Sequence, residues 1–68
     1  MENKATLLGA VETCTTHIDQ AIALTETLGK SLTGEAEVTN DDINYRLKEI
    51  KSLLVDLYGE VDDMPRVR

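Results

Sequence analysis

Aromatic residues are nearly absent from this sequence, which contains no Phe and no Trp. The two tyrosines, Tyr45 and Tyr58, bring the aromatic content to only 3%. Large aromatic side chains usually contribute much of the buried area of a core, so aliphatic side chains must supply nearly all of it here. This composition favours packed helices over a β-sandwich.

Cysteine is also scarce, since Cys14 is the only one among 68 residues. A single cysteine excludes an internal disulfide framework and fits a reducing cytoplasm. A chain of this length lies near the lower limit at which one apolar core offsets the conformational entropy lost on folding. We therefore expect help from association with further copies of the chain.

Positive charge is in deficit, with seven basic residues against thirteen acidic ones and a net charge of −6. Such a chain repels phosphate backbones, so we expect no nucleic-acid partner. The apolar run over residues 5–11 is too short to cross a bilayer and follows no net-positive leader. We expect neither export nor a membrane partner.

A heptad-like stripe runs through the first half of the sequence and predicts a helix over about residues 4–32. Proline does not interrupt this half, and either Gly29 or Gly34 could end the helix in a left-handed conformation. The stripe alternates steps of four and three residues: Leu7, Val11, Cys14, Ile18, Ala21, Thr25, Leu28 and Leu32.

A second stripe predicts another helix over about residues 40–63. Thr39 and Asp42 fit an acidic capping box at its start, and Pro65 stops it. We expect a turn over residues 33–39 and a C-terminal tail over residues 65–68. The second stripe has the same spacing as the first: Ile43, Leu47, Ile50, Leu54, Leu57, Val61 and Met64.

The two stripes agree with each other if the helices are antiparallel, because facing residues should then have a constant sum of residue numbers. Leu32 with Ile43, and Val11 with Met64, both give seventy-five. The sequence thus predicts a single all-α domain, an antiparallel, coiled-coil-like two-helix hairpin. One hairpin buries little, so we expect a homo-oligomeric helical bundle, with a four-helix homodimer as the default and higher oligomers left open.

Apolar side chains beside the stripes are candidates for self-association or for binding a partner protein. We expect a lone hairpin to leave them uncovered. These residues are Leu8, Ile22, Leu24, Leu53 and Tyr58.

Catalytic and metal-binding motifs are missing from the sequence, and we expect no enzyme activity and no cofactor. Cys14 and His17 are three residues apart, a spacing that could form a thiolate–imidazole pair or two metal ligands. The simpler interpretation places Cys14 in the seam and pairs His17 with Glu60. A metal would also need two further ligands from another chain, so we expect no metal site.

Three basic residues of the second helix, Arg46, Lys48 and Lys51, could bind an anion. The simpler alternative is pairing with acidic residues on the helix surfaces. If the three residues do bind anions, an oligomer could sequester a small anionic ligand such as a nucleotide, with Tyr58 stacking on the base.

An acidic helical hairpin without catalytic groups reads first as a protein-interaction module: a small regulator, inhibitor or assembly factor. An acidic DNA mimic is a further alternative. The architecture resembles the plasmid-encoded Rop hairpin dimer in outline only; Rop binds RNA, and the net charge here argues against that activity. The small size is typical of proteins encoded by phages and mobile elements, for which the bacterial cytoplasm is the expected location.

Overall fold

The computed structural model describes residues 3–65, which form two α-helices and no strand. Helix α1 spans Lys4–Gly29 and helix α2 spans Gly34–Asp62. The helices pack side by side and antiparallel, in a molecule 55 Å long and 14 Å across in both other directions. Neither described helix has a stretch apolar enough to cross a membrane.

Helix α1 is capped at its start by Asn3, whose side-chain oxygen accepts a hydrogen bond of 2.8 Å from the backbone N–H of Thr6. This bond satisfies one of the backbone donors that the first turn of a helix leaves unpaired. At the other end, backbone bonds from Lys30 and Ser31 to the preceding turn satisfy the last carbonyls. The helix ends three residues before the predicted Leu32.

The turn occupies residues 30–33, and the predicted turn over 33–39 is wrong because most of that segment is helical. Gly34 has a φ of +65°, a left-handed conformation that glycine adopts without steric cost, and it lets the chain reverse direction. Glu35 and Glu37 then lie in the first turn of α2, where the helix dipole favours negative charge. The apparent capping box at Thr39 and Asp42 therefore lies inside the helix.

The early start of α2 changes the pairing of the two helices. Thr25 contacts Asn44, and Asp19 contacts Lys51. The residue numbers of these pairs sum to 69 and 70, so the predicted sum of seventy-five is also wrong. A shorter turn brings α2 back along α1 about six residues sooner, which accounts for the difference.

The surface along which α1 and α2 meet, here called the hairpin seam, again follows steps of three and four residues. All of its residues are buried or partly buried. Val11 and Val61 are its buried apolar residues. The hairpin seam comprises Leu8, Val11, Thr15, Ile18, Ile22, Thr25 and Gly29 of α1 and Asn40, Asn44, Leu47, Lys51, Leu54, Tyr58 and Val61 of α2.

Polar groups hold the hairpin seam together near the turn. The Asn40 side-chain amide donates a 2.7 Å hydrogen bond to the Thr25 carbonyl, and the Asn44 amide donates one of 2.8 Å to the Thr25 hydroxyl. That hydroxyl in turn donates to the Ile22 carbonyl. Asn40 and Thr25 are both buried, and their hydrogen bonds offset the cost of removing them from water.

At the opposite end, the Lys4 ammonium donates a 3.2 Å hydrogen bond to the Met64 carbonyl and ties the start of α1 to the end of α2. Helix α2 ends at Asp62, ahead of Pro65. The rest of the predicted tail lies outside the described residues.

Candidate functional site: an apolar face

Eight of the fifteen residues in the two predicted stripes lie together on one side of the molecule, outside the hairpin seam. Ile50, Leu57 and Met64 keep 42%, 42% and 43% of their surface exposed. Cys14, predicted to be in the seam, is exposed as well. We call this side the apolar face; it consists of Leu7, Cys14, Ala21 and Leu28 of α1 and Ile43, Ile50, Leu57 and Met64 of α2.

In each helix the residues of the apolar face are seven apart, which is about two turns, so they lie along one side of that helix. Within each helix these positions lie three residues after one seam position and four before the next, so they point to the same flank of the seam. Near the chain ends, Leu7 and Met64 line one small hollow together with Val61. The two helices therefore contribute parallel rows of aliphatic side chains to one surface.

The opposite broad side of the hairpin is charged. Asp19 forms a 2.7 Å salt bridge with Lys51 there, and the Tyr58 hydroxyl donates a 3.2 Å hydrogen bond to the Glu12 carboxylate. Near the turn, this side carries an open groove of about 390 Å³ with both signs of charge, lined by Thr25, Glu26, Gly29, Lys30, Asp41 and Asn44. The hairpin thus has one aliphatic side and one charged side.

A helix of a bundle buries a stripe about three heptad positions wide, rather than two. In this hairpin two of those positions face the other helix and form the seam, while the third forms the apolar face. Among residues 3–65, Val11 and Val61 are the only buried apolar side chains. Each helix therefore leaves the third position of its apolar stripe outside the hairpin seam.

The predicted association residues divide into two groups. Leu24 and Leu53 are 64% and 65% exposed, along the outer edges of the apolar face. Leu8, Ile22 and Tyr58 are partly buried in the hairpin seam, so the prediction that the hairpin leaves them uncovered is wrong for these three. The shift in pairing exchanged them with residues such as Ile50 and Leu57.

The predicted anion-binding residues do not form one cluster. Arg46 and Lys48 are two residues apart on a helix and so point to opposite sides of α2. Arg46 lies 3.1 Å from the Asp42 carboxylate, one turn earlier, and Lys51 is paired with Asp19. The structure gives the surface pairing that sequence analysis offered as the simpler alternative for Arg46 and Lys51.

Cys14 and His17 are both exposed on the side of the apolar face. Within residues 3–65, neither takes part in a hydrogen bond or salt bridge with another side chain, so the predicted pairing of His17 with Glu60 is not found. The same part of the chain holds no group of three or more His, Cys, Asp or Glu side chains placed to bind a metal ion.

Sequence comparison does not assign this site, because no protein-family model, curated protein sequence or solved structure matches the chain.

Proposed function

We propose that this protein is a non-enzymatic interaction module that works as a homo-oligomer, with a dimeric four-helix bundle as its basic unit. The apolar face carries this proposal. Six of its eight side chains are exposed, while Leu7 and Ala21 are partly buried, and removing the apolar surface from water would stabilise the folded chain by about 25 cal/mol for each Å² buried.

The dimensions of the face fit such an interface. The molecule is 55 Å long and 14 Å wide, so one side offers roughly the 800 Å² that each partner buries in a standard protein interface. A second copy brings an identical aliphatic surface of the same length, as an isologous dimer requires. In such a dimer, each of the four helices buries all three positions of its apolar stripe.

Two matched substitutions in the middle of α2 test this assembly. Ile50→Asp places a carboxylate within the apolar face, whereas Val55→Asp makes the same change on the charged side, where Val55 is 57% exposed. In sedimentation equilibrium we expect the wild type and Val55→Asp to be dimers and Ile50→Asp to dissociate. A helical wild-type monomer at micromolar concentration would contradict the proposal.

A dimer of this kind keeps other groups free for a partner protein. Val38 and Tyr45 remain 69% and 63% exposed and lie seven residues apart on α2, away from the apolar face. Tyrosine is enriched at protein interfaces because it buries a large surface with little loss of conformational entropy. We propose this outer row as the contact with a partner.

Affinity capture from the native cell tests the outer row. We expect the wild type to capture a partner protein that Tyr45→Ser does not capture. Both proteins should be dimers. Identical sets of captured proteins would exclude Tyr45 from the contact.

A second candidate function, an acidic DNA mimic, is favoured by one further row of α2. Carboxylates recur there every seven residues, about 10 Å apart along the helix, at Asp42, Glu49 and Asp56, and the spacing continues to Asp63 just past the helix end. A mimic should compete with DNA for a DNA-binding protein, and its competition should weaken steeply with added salt. If the carboxylates of this row are neutralised and binding to the DNA-binding protein is unchanged, the DNA-mimic function is excluded.

A further inference from the structure

The edge of the apolar face on α2 carries an ordered row of three side chains. Arg46, Leu53 and Glu60 are spaced by seven residues and follow the outer side of Ile43, Ile50 and Leu57. Along the helix the row therefore reads positive, apolar, negative. Such a row is complementary to itself when a second copy runs in the opposite direction.

From this row we infer how the second copy docks, an inference that rests on the proposed homodimer. The two hairpins lie face to face with their turns at opposite ends, and each α2 packs antiparallel against α2 of the second copy. Leu53 then meets Leu53 of the second copy at the twofold axis. On either side, Arg46, which lies 3.1 Å from the Asp42 carboxylate of its own chain, also pairs with Glu60 of the second copy.

The remaining positions of the apolar face accept this arrangement. Centring the axis on Leu53 places Ile50 beside Leu57 of the second copy, and Ile43 beside Met64 of the second copy. Between the two α1 helices, the small residues Cys14 and Ala21 meet near the centre. Large aliphatic groups thus line one half of the interface, and the other half permits close approach of the helices.

The alternative face-to-face arrangement has both turns at the same end and packs α1 against α2 of the second copy. In that arrangement Arg46 lies beside Leu24 of the second copy and Glu60 beside Ala10 of the second copy. Both charged groups then border apolar side chains and gain no ionic partner. Charge complementarity across the interface therefore selects the antiparallel arrangement.

Charge reversal separates the two arrangements. Arg46→Glu and Glu60→Arg each put like charges together twice in the antiparallel dimer, and we expect each to weaken dimerisation roughly tenfold to a hundredfold. The double variant, which keeps the net charge of −6, should recover most of the lost affinity, because it restores both contacts between the chains but not the salt bridge between Arg46 and Asp42. Because residues 46 and 60 are about 21 Å apart on one helix, this rescue cannot occur within a single chain.

Mixing the two single variants gives a more stringent test. A heterodimer of Arg46→Glu with Glu60→Arg has opposite charges at both contacts, so native mass spectrometry should show it as the dominant dimer. Lys48→Glu and Asp56→Arg make the same charge changes away from the apolar face and serve as controls. We expect both controls to dimerise within about threefold of the wild type.

Cross-linking supplies an independent readout. In a Cys14→Ala background, Leu53→Cys should oxidise to a covalent dimer, whereas Ser52→Cys, exposed on the outside of α2, should not. A dimeric wild type without charge rescue or Leu53→Cys cross-linking would overturn the antiparallel docking and leave the proposed homodimer intact. A monomeric wild type would overturn both.

Discussion

Polar residues that hydrophobicity would place outside the core decide how α1 and α2 meet. Asn40, Asn44 and Lys51 occupy seam positions, while the more apolar Ile43 and Ile50 remain outside. Both sets follow the same heptad spacing, so periodicity alone could not choose between them. The choice depends on specific hydrogen bonds, such as those from the two asparagine amides to Thr25, which a sequence pattern does not reveal.

Tyr58 offers a test at the residue scale. Its hydrogen bond to the Glu12 carboxylate, together with the negative charge of that group, raises the pKa of the phenol above the usual 10.0. Because the folded state holds this proton more tightly, the contribution to stability is complete below pH 10 and is lost as pH rises through the folded pKa.

Ultraviolet titration of phenolate formation in a Tyr45→Phe background follows Tyr58 alone. We expect its pKa to exceed that of a tyrosine peptide and to fall towards the peptide value in Glu12→Gln. Equal values in the two proteins would show that the Glu12 contact does not form in solution.

At the scale of the helices, the sequence predicted two elements and their antiparallel order, and the structure agrees. It misplaced the start of α2 because Thr39 and Asp42 form a plausible cap within a segment that Glu35, Ala36 and Glu37 already favour as helix. Gly34 was considered as the end of α1, yet it forms the entry to α2. This one misassignment moved the pairing of the helices by five to six residues.

The glycines of α2 give the matched prediction at this scale. Gly34→Ala puts a Cβ on a left-handed backbone and should destabilise the protein by about 1–2 kcal/mol. Gly59→Ala adds a Cβ inside a helix, where no atom lies within 4 Å, and should stabilise it by about 0.5–1 kcal/mol.

Urea unfolding at one protein concentration, followed by circular dichroism, measures both glycine variants. A stabilising effect of Gly34→Ala equal to that of Gly59→Ala would mean that the left-handed turn at Gly34 is not present in solution.

At the scale of the whole molecule, the sequence led to the expectation of assembly, although three of the five residues chosen for it lie elsewhere. Leu8, Ile22 and Tyr58 were chosen as leftover surface and belong to the hairpin seam. The apolar face, which took their place, has more aliphatic positions than the predicted set. Assembly therefore stays a prediction that now rests on the apolar face, because rotating a three-position stripe changes which third is exposed and leaves its width unchanged.

Folding coupled to dimerisation makes stability depend on protein concentration. Mass action gives about 1.4 kcal/mol of apparent stability for each tenfold increase in total chain. We expect the thermal midpoint to rise steadily between micromolar and millimolar samples and to stay lower in Ile50→Asp. A midpoint independent of concentration would indicate a hairpin that is stable alone.

The hydrogen bonds that the asparagine side chains form near the turn also affect the alignment of the two helices. Evenly repeated leucine and isoleucine rows would tolerate helices sliding past each other by a whole heptad, because every aliphatic neighbour finds a similar replacement. Asn44 is different: the same slide separates its amide from the Thr25 hydroxyl and sets it opposite Ile18 or Leu32, which have no polar side-chain group. The hydrogen bond to the Thr25 hydroxyl thus favours a single alignment of the two helices in an otherwise repetitive sequence.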